Sequence, residues 1–365
     1  MASRSMSALQ PGSPCSALVF SSALNLSGMH LLLFSGRRAG HPQQGLYYPL
    51  FFYQSLDQYR PIQLRARPEP LNITTKEFIR RLPDMPFQDL LVHIDDSDVC
   101  GERIEAAIAL AKRQDSGLTG VALALKSTIS TYIGIDIPAS LTDAQQEIVQ
   151  KAAESAVAKF EDACKKAGIK YNSKIDACSA TKAPSRLAFH ARHADMSFLG
   201  QPNPDDPGAS FQESLLEGVL FASGRPIYIV PYVGRPHMKI RKAVIAWDGG
   251  KKAVRAVNDA IPLLKGRSDA IVLVINPESR TGAHGDVPGQ DIAEHLERHG
   301  IKAVVDRLHM PDAAPDTLVL NYLADSGADL LIMGAFGHSR LREKAFGGVT
   351  NTILHQMTTP VLMSE

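Results

Sequence analysis

The chain has 365 residues, 44% hydrophobic and 21% charged, which is long enough for two ordinary domains with their own cores. Its formal net charge of +1 excludes a generalised nucleic-acid-binding surface, because nonspecific phosphate binding needs a large basic excess that releases counterions. Cys15, Cys100, Cys164 and Cys178 lie far apart with no CxxC pair, so neither a zinc site nor a disulfide framework is indicated, and a reducing cytoplasm is the simplest setting.

Residues 1–84 differ from the rest: they hold eight of the 23 prolines, and nine Lys or Arg against four Asp or Glu. Within them "ALVFSSALNLSGMHLLLF", Ala17 to Phe34, is apolar but broken by serines, Asn25, Gly28 and His30. It lacks the continuous apolarity of a membrane span, and no clear AxA-like cleavage site follows, so no membrane partner is expected. We read 1–84 as an N-terminal extension, disordered or preceding the biological start, with Met85 and its strand-like "MPFQDLLVHID" as a candidate start.

After Met85, short apolar runs alternate with amphipathic helical stretches, the pattern of a parallel sheet covered by helices. "DLLVHID" (Asp89 to Asp95) predicts a buried strand, "GERIEAAIALAKRQDSG" a helix ended by Gly117, and "LTGVALAL" a second strand. A long helix is expected from about Thr142 to Ala167, with Lys165 and Lys166 in its last turn and Gly168 beyond. A strand near Ile175, a helix from Ser185 to His193 and the strand "DMSFLG" follow.

The same order then recurs. "KAVIAWD" (Lys242 to Asp248) matches "DLLVHID", "AIVLVIN" matches the second strand, and "ADLLIMG" at 328–334 matches "ADMSFLG" at 194–200. Gly200 to Pro226 and Gly334 to Pro360 are both 26 residues apart, so these segments align without a gap. The pattern predicts an α/β protein of two tandem open parallel-sheet domains with helices on both faces, at 85–234 and 239–365, divided near "YVGRPHMKI".

The most patterned stretch is "MGAFGHSRLREKAFGGVT", Met333 to Thr350, where four glycines bracket a basic turn containing His338, Arg340, Arg342 and Lys344. Ligands of open parallel sheets bind beyond the carboxyl ends of strands where the winding reverses, and Asp248 and Gly334 sit at such ends. "GGVTNTILHQ" predicts a helix whose small first residues would let backbone N–H groups approach a phosphate, with Thr350 adding a hydroxyl. The bland alternative is that these glycines permit tight turns and close packing. Likewise Asp248 suits either a ribose hydroxyl or the cap of the following helix. Trp247 reads as core or pocket wall, and His93 and His355 as structural residues.

On these residues the chain resembles the universal stress protein family, in which the fourth strand is followed by GxxG, nine residues, then Gly with Ser or Thr. Gly334 and Gly337 supply the first element and Gly347 the next glycine, but Gly348 stands where ATP-binding members carry Ser or Thr; Val349 and Thr350 agree with the usual continuation. The resemblance implies an adenine nucleotide alpha hydrolase-like fold, a role in the stress response, and binding of ATP, with magnesium admitted. The nucleotide would lie on Asp248, Gly334, Gly337, Gly347, Gly348, Val349 and Thr350. Pairing of the final strands, within the chain or in a homodimer, is a further implication. At the first copy's matching places stand Asn203, Glu213, Ser214 and Leu216, and a carboxylate at that helix start would repel a polyanion. No GxSxG, HExxH or Walker A sequence is present, so dedicated catalysis is not expected. A nucleotide-free interaction scaffold and a slow nucleotide hydrolase remain beside the nucleotide-binding module.

Overall fold

The computed structural model describes residues 18–26, 29–36, 50–53, 87–126, 139–233, 239–266, 269–279, 286–335 and 348–365. The chain divides into two units, Met1–Pro83 and Asp84–Glu365. In the first, β1 (Leu18–Leu26), β2 (Met29–Gly36) and β3 (Leu50–Tyr53) form an antiparallel sheet in that order. The apolar stretch from Ala17 thus falls on two strands, and among the described residues no helix is long and apolar enough to cross a membrane.

The second unit runs β4 (Asp89–Ile94), α1 (Cys100–Gln114), β5 (Gly117–Lys126), α2 (Ala139–Ala167), β6 (Tyr171–Ser179), α3 (Ala183–Ala191), β7 (Met196–Gly200), α4 (Ala209–Ala222) and β8 (Ile227–Val230). It continues with β9 (Lys242–Ala246), α5 (Lys251–Leu264), β10 (Asp269–Ile275), α6 (Gln290–Arg298), β11 (Lys302–Leu308), α7 (Pro315–Ser326), β12 (Leu330–Gly334), α8 (Gly348–Gln356) and β13 (Val361–Ser364). Gly117 opens β5 rather than closing α1. Asp115 takes the left-handed position at φ 57, and the N–H groups of Asp115 and Ser116 both reach Ala111 O, so the helix ends two residues earlier.

All ten strands of this unit form one sheet, ordered β11-β10-β9-β12-β13-β8-β7-β4-β5-β6. Each five-stranded half is parallel and winds 3-2-1-4-5, counting its own strands in chain order. The halves meet where β13 pairs antiparallel with β8, through Val361↔Ile229, Leu362↔Tyr228 and Met363↔Ile227. Each of these strands would otherwise present an open edge.

Strand alternation sends neighbouring side chains to opposite faces. Leu90, Val92 and Ile94, with Ala243 and Ile245, pack under α1, α2, α5 and α6. Leu91, Val244, Leu331 and Met333 pack under α3, α4, α7 and α8. Both layers cross the β8–β13 junction. In α5 the buried residues Ala253, Ala256, Val257, Ala260, Leu263 and Leu264 recur at helical spacing, which explains why this segment lies flat on the sheet.

Hydrogen bonds repeat between the halves at fixed offsets. Asp195 N–H donates to Asp89 O at 2.7 Å, and Asp329 N–H to Lys242 O at 2.9 Å. Asp195 Oδ2 accepts from Gln88 N and Asp89 N, and Asp329 Oδ2 from Arg241 N and Lys242 N. Ser197 N donates to Pro226 O as Leu331 N does to Pro360 O, and Gln201 N to Val230 O as Ala335 N does to Ser364 O. These pairs keep the register of the gap-free alignment between Gly200 and Gly334.

Candidate functional site

In the second half β9 and β12 are neighbours, paired up to Met333↔Ala246, while β9 leads on to β10 on its other side. Their carboxyl ends therefore flank the point where the winding reverses, the place where open α/β sheets bind ligands. Beyond β9, Trp247 N–H donates to Leu273 O at 2.9 Å, and its partly buried ring packs on the core. Asp248 follows, and its Oδ1 accepts from Gly250 N at 2.8 Å, closing a turn in which Gly249 has φ +69. That turn leads into α5, whose N-cap is Gly250 with no side-chain cap hydrogen bond, so Asp248 closes the turn before the helix rather than capping it.

Gly334 ends β12 beneath the first turn of α5. A Cβ there would lie 2.6 Å from both Lys252 C and Ala253 N, so only glycine allows this approach of helix to strand. Packing is thus a sufficient reason for Gly334. Gly348 is different, because among the described residues a Cβ placed on it meets nothing within 4 Å. Val349 is exposed, and Thr350 is 3% exposed at the first turn of α8. Gly337 and Gly347, with the basic turn from His338 to Lys344, lie outside the described residues. Thus Asp248 and Gly334 stand at adjoining strand ends, and Gly348 and Val349 open α8. An open groove of about 440 Å³ on α5 is lined by Lys251, Lys252, Val254, Arg255, Asn258 and Glu365, and takes in none of the expected site residues. Among the described residues no group of three His, Cys, Asp or Glu could hold a metal ion.

The first half fills its own reversal point. Asp95, the counterpart of Asp248, accepts from Ser97 N at 3.1 Å and from the Ser97 hydroxyl, and pairs with Arg103 Nη2 at 2.7 Å. Arg103 is 4% exposed, and its Nη1 would lie 2.5 Å from a Cβ on Gly200, the counterpart of Gly334. A guanidinium therefore spans the ends of β4 and β7. Burial opposes the charge on Asp95, but Arg103, His93 and the bonds from Ser97 outweigh it and hold the carboxyl well below the usual carboxylate range. His93, 3.6 Å from Asp95, is lowered from 6.5 to about 4 by burial and then by Arg103, against the pull of Asp95. The second half has Ala256 at the place of Arg103, fully buried and unable to plug anything.

Sequence reasoning passed over Arg103, although it left a trace: an arginine sits on the apolar stripe of α1 beside Cys100, Ile104 and Ala107. Glu213, expected to disfavour a polyanion by its charge, has its Oε1 3.1 Å from His355 Nε2 on α8 of the other half.

Residues 239–364 match the model of the universal stress protein family. A curated universal stress protein of Synechocystis sp. is 39% identical over 153 residues, covering 40% of this chain and 49% of that protein, so the chain spans about half the length of this relative. The solved structure of a universal stress protein from Archaeoglobus fulgidus aligns with TM-score 0.57 and 19% identity over 77% of this chain and 98% of its own, a likeness of fold.

Proposed function

We propose that the chain, whose residues 239–364 match the universal stress protein family, acts in the stress response as a tandem protein whose second half binds an adenine nucleotide such as ATP and whose first half does not. The observation that carries this reading is the contrast between two equivalent reversal points. In the first, Arg103 reaches between Asp95 and Gly200; in the second, Ala256 stands at its place and carries no charged side chain, and among the described residues the Cβ position of Gly334 is met by the α5 backbone at Lys252 and Ala253. Asp248 would face the nucleoside, and the N–H groups at the start of α8, Gly348 and Val349 among them, would face the phosphates. The role is one of binding rather than dedicated catalysis, in a cytoplasmic setting.

Isothermal titration of the full chain with ATP and magnesium tests the reading directly. Binding below millimolar ATP is the expected result, and no heat at millimolar ligand would sink it. Gly348→Ser is the informative variant, since no described residue lies within 4 Å of a Cβ at Gly348 and the change supplies a hydroxyl where a phosphate would lie. A hydrogen bond to a charged group contributes about 1.5–3 kcal/mol, so affinity should rise about tenfold or more.

A second reading, a nucleotide-free interaction scaffold, draws support from Gly334 and Thr350. The first is explained by helix packing and the second is buried, so neither requires a ligand. An unchanged titration for both wild type and Gly348→Ser would favour it.

A further inference from the structure

Two residues of the first half, Gln201 just beyond β7 and Glu213 on α4, reach into the second half. Gln201 stands in the place of Ala335 and Glu213 in the place of Gly347, by the register that the repeated hydrogen bonds confirm. Gln201 is 3% exposed; its Oε1 accepts from Tyr232 N at 3.1 Å and its Nε2 donates to Leu354 O at 2.9 Å. Leu354 lies in the last turn of α8, where carbonyls have no partner within the helix, so Gln201 supplies a donor that α8 itself cannot. Glu213 Oε1 lies 3.1 Å from His355 Nε2, while His355 Nδ1 lies 2.8 Å from Asn351 O. Both ring nitrogens thus face acceptors, Glu213 Oε1 and Asn351 O.

α8 spans nine residues, too few to hold a helix by local propensity alone, so its placement depends on tertiary contacts. We propose that the first half is the positioning module of α8: Gln201 and Glu213 hold its carboxyl end, and so fix the N-terminal turn that would face the phosphates. The ligand part of this proposal rests on the nucleotide reading above, whereas the clamp itself does not.

Hydrogen–deuterium exchange on the full chain separates the two. Glu213→Ala and Gln201→Met should each raise exchange of the 348–356 amides about fivefold, the size of one net hydrogen bond, with β4 and β9 unchanged. Glu213→Gln keeps an acceptor for His355 and should restore wild-type exchange, which loss of a side chain for merely structural reasons would not predict. Unchanged exchange over 348–356 in both variants, or a rise spread evenly over the chain, would overturn the clamp. ATP titration forms the second arm. If the wild type binds, Glu213→Ala should weaken the Kd about fivefold, and an unaltered Kd with a loosened α8 would overturn the positioning role. If the wild type does not bind, the nucleotide reading fails, while exchange over 348–356 still decides the clamp.

Discussion

His93 is enclosed at 8% exposure beside Asp95 and Arg103, and its surroundings favour the neutral ring. Its folded pKa of about 4 lies below the ordinary 6.5 of a histidine, so between these values the unfolded chain binds more protons than the folded one. The stability contributed by this group is therefore complete above about pH 6.5 and is lost as pH falls towards 4, by an amount on the order of 3 kcal/mol. Urea unfolding of wild type and His93→Leu at intervals from pH 7 to pH 4 should show a steeper loss in the wild type; parallel curves would count against the assignment. Asp95 adds its own loss only at lower pH, because Arg103 holds its carboxyl ionised.

At the scale of elements, one carboxylate fastens the start of the first strand of each half to the fourth. Asp329 Oδ2 takes the N–H groups of Arg241 and Lys242 at 2.8 and 3.1 Å, and Asp195 Oδ2 takes those of Gln88 and Asp89 at 2.7 and 3.1 Å. Water reaches both clasps, so each should contribute modestly. Asp329→Ala and Asp195→Ala are expected to cost about 1–2 kcal/mol apiece and nearly the same as each other. Denaturant midpoints that differ widely between the two would argue that the halves do not share this device. The residues 248, 334 and 348 show how unevenly such detail reads from sequence. Asp248 and Gly334 could be placed at strand ends from apolar runs alone, yet their duties in a turn and in close packing follow only from where α5 lies.

Across the molecule, the antiparallel contact of β8 with β13 joins two parallel halves into one sheet whose two core layers pass through the junction. Gln114 Nε2 to Pro262 O and Arg255 Nη2 to Gly224 O add bonds across it. Residues 84–365 should therefore lose both halves together. Leu362→Asp, at a fully buried position opposite Tyr228, places a carboxylate in the shared core, and a loss of about 4 kcal/mol or more is expected, with the two halves still melting in one transition. Two separated calorimetric transitions, each assignable to one half, would contradict a shared core.

Local sequence determined the element order, because periodicity in Leu90 to Ile94, Lys251 to Leu264 and their counterparts states which side chains seek burial. It also set the register between the halves: equal spacing from Gly200 to Pro226 and from Gly334 to Pro360 reappears as matched hydrogen bonds. Tertiary structure alone decided that Arg103 closes one reversal point and that Gln201 and Glu213 clasp α8, and it chose pairing of β8 with β13 within the chain from the two arrangements that the resemblance implied. The reason is distance along the chain. Propensity and periodicity act over a few residues, whereas the Glu213–His355 contact joins groups 142 positions apart and exists only once the sheet has brought them together.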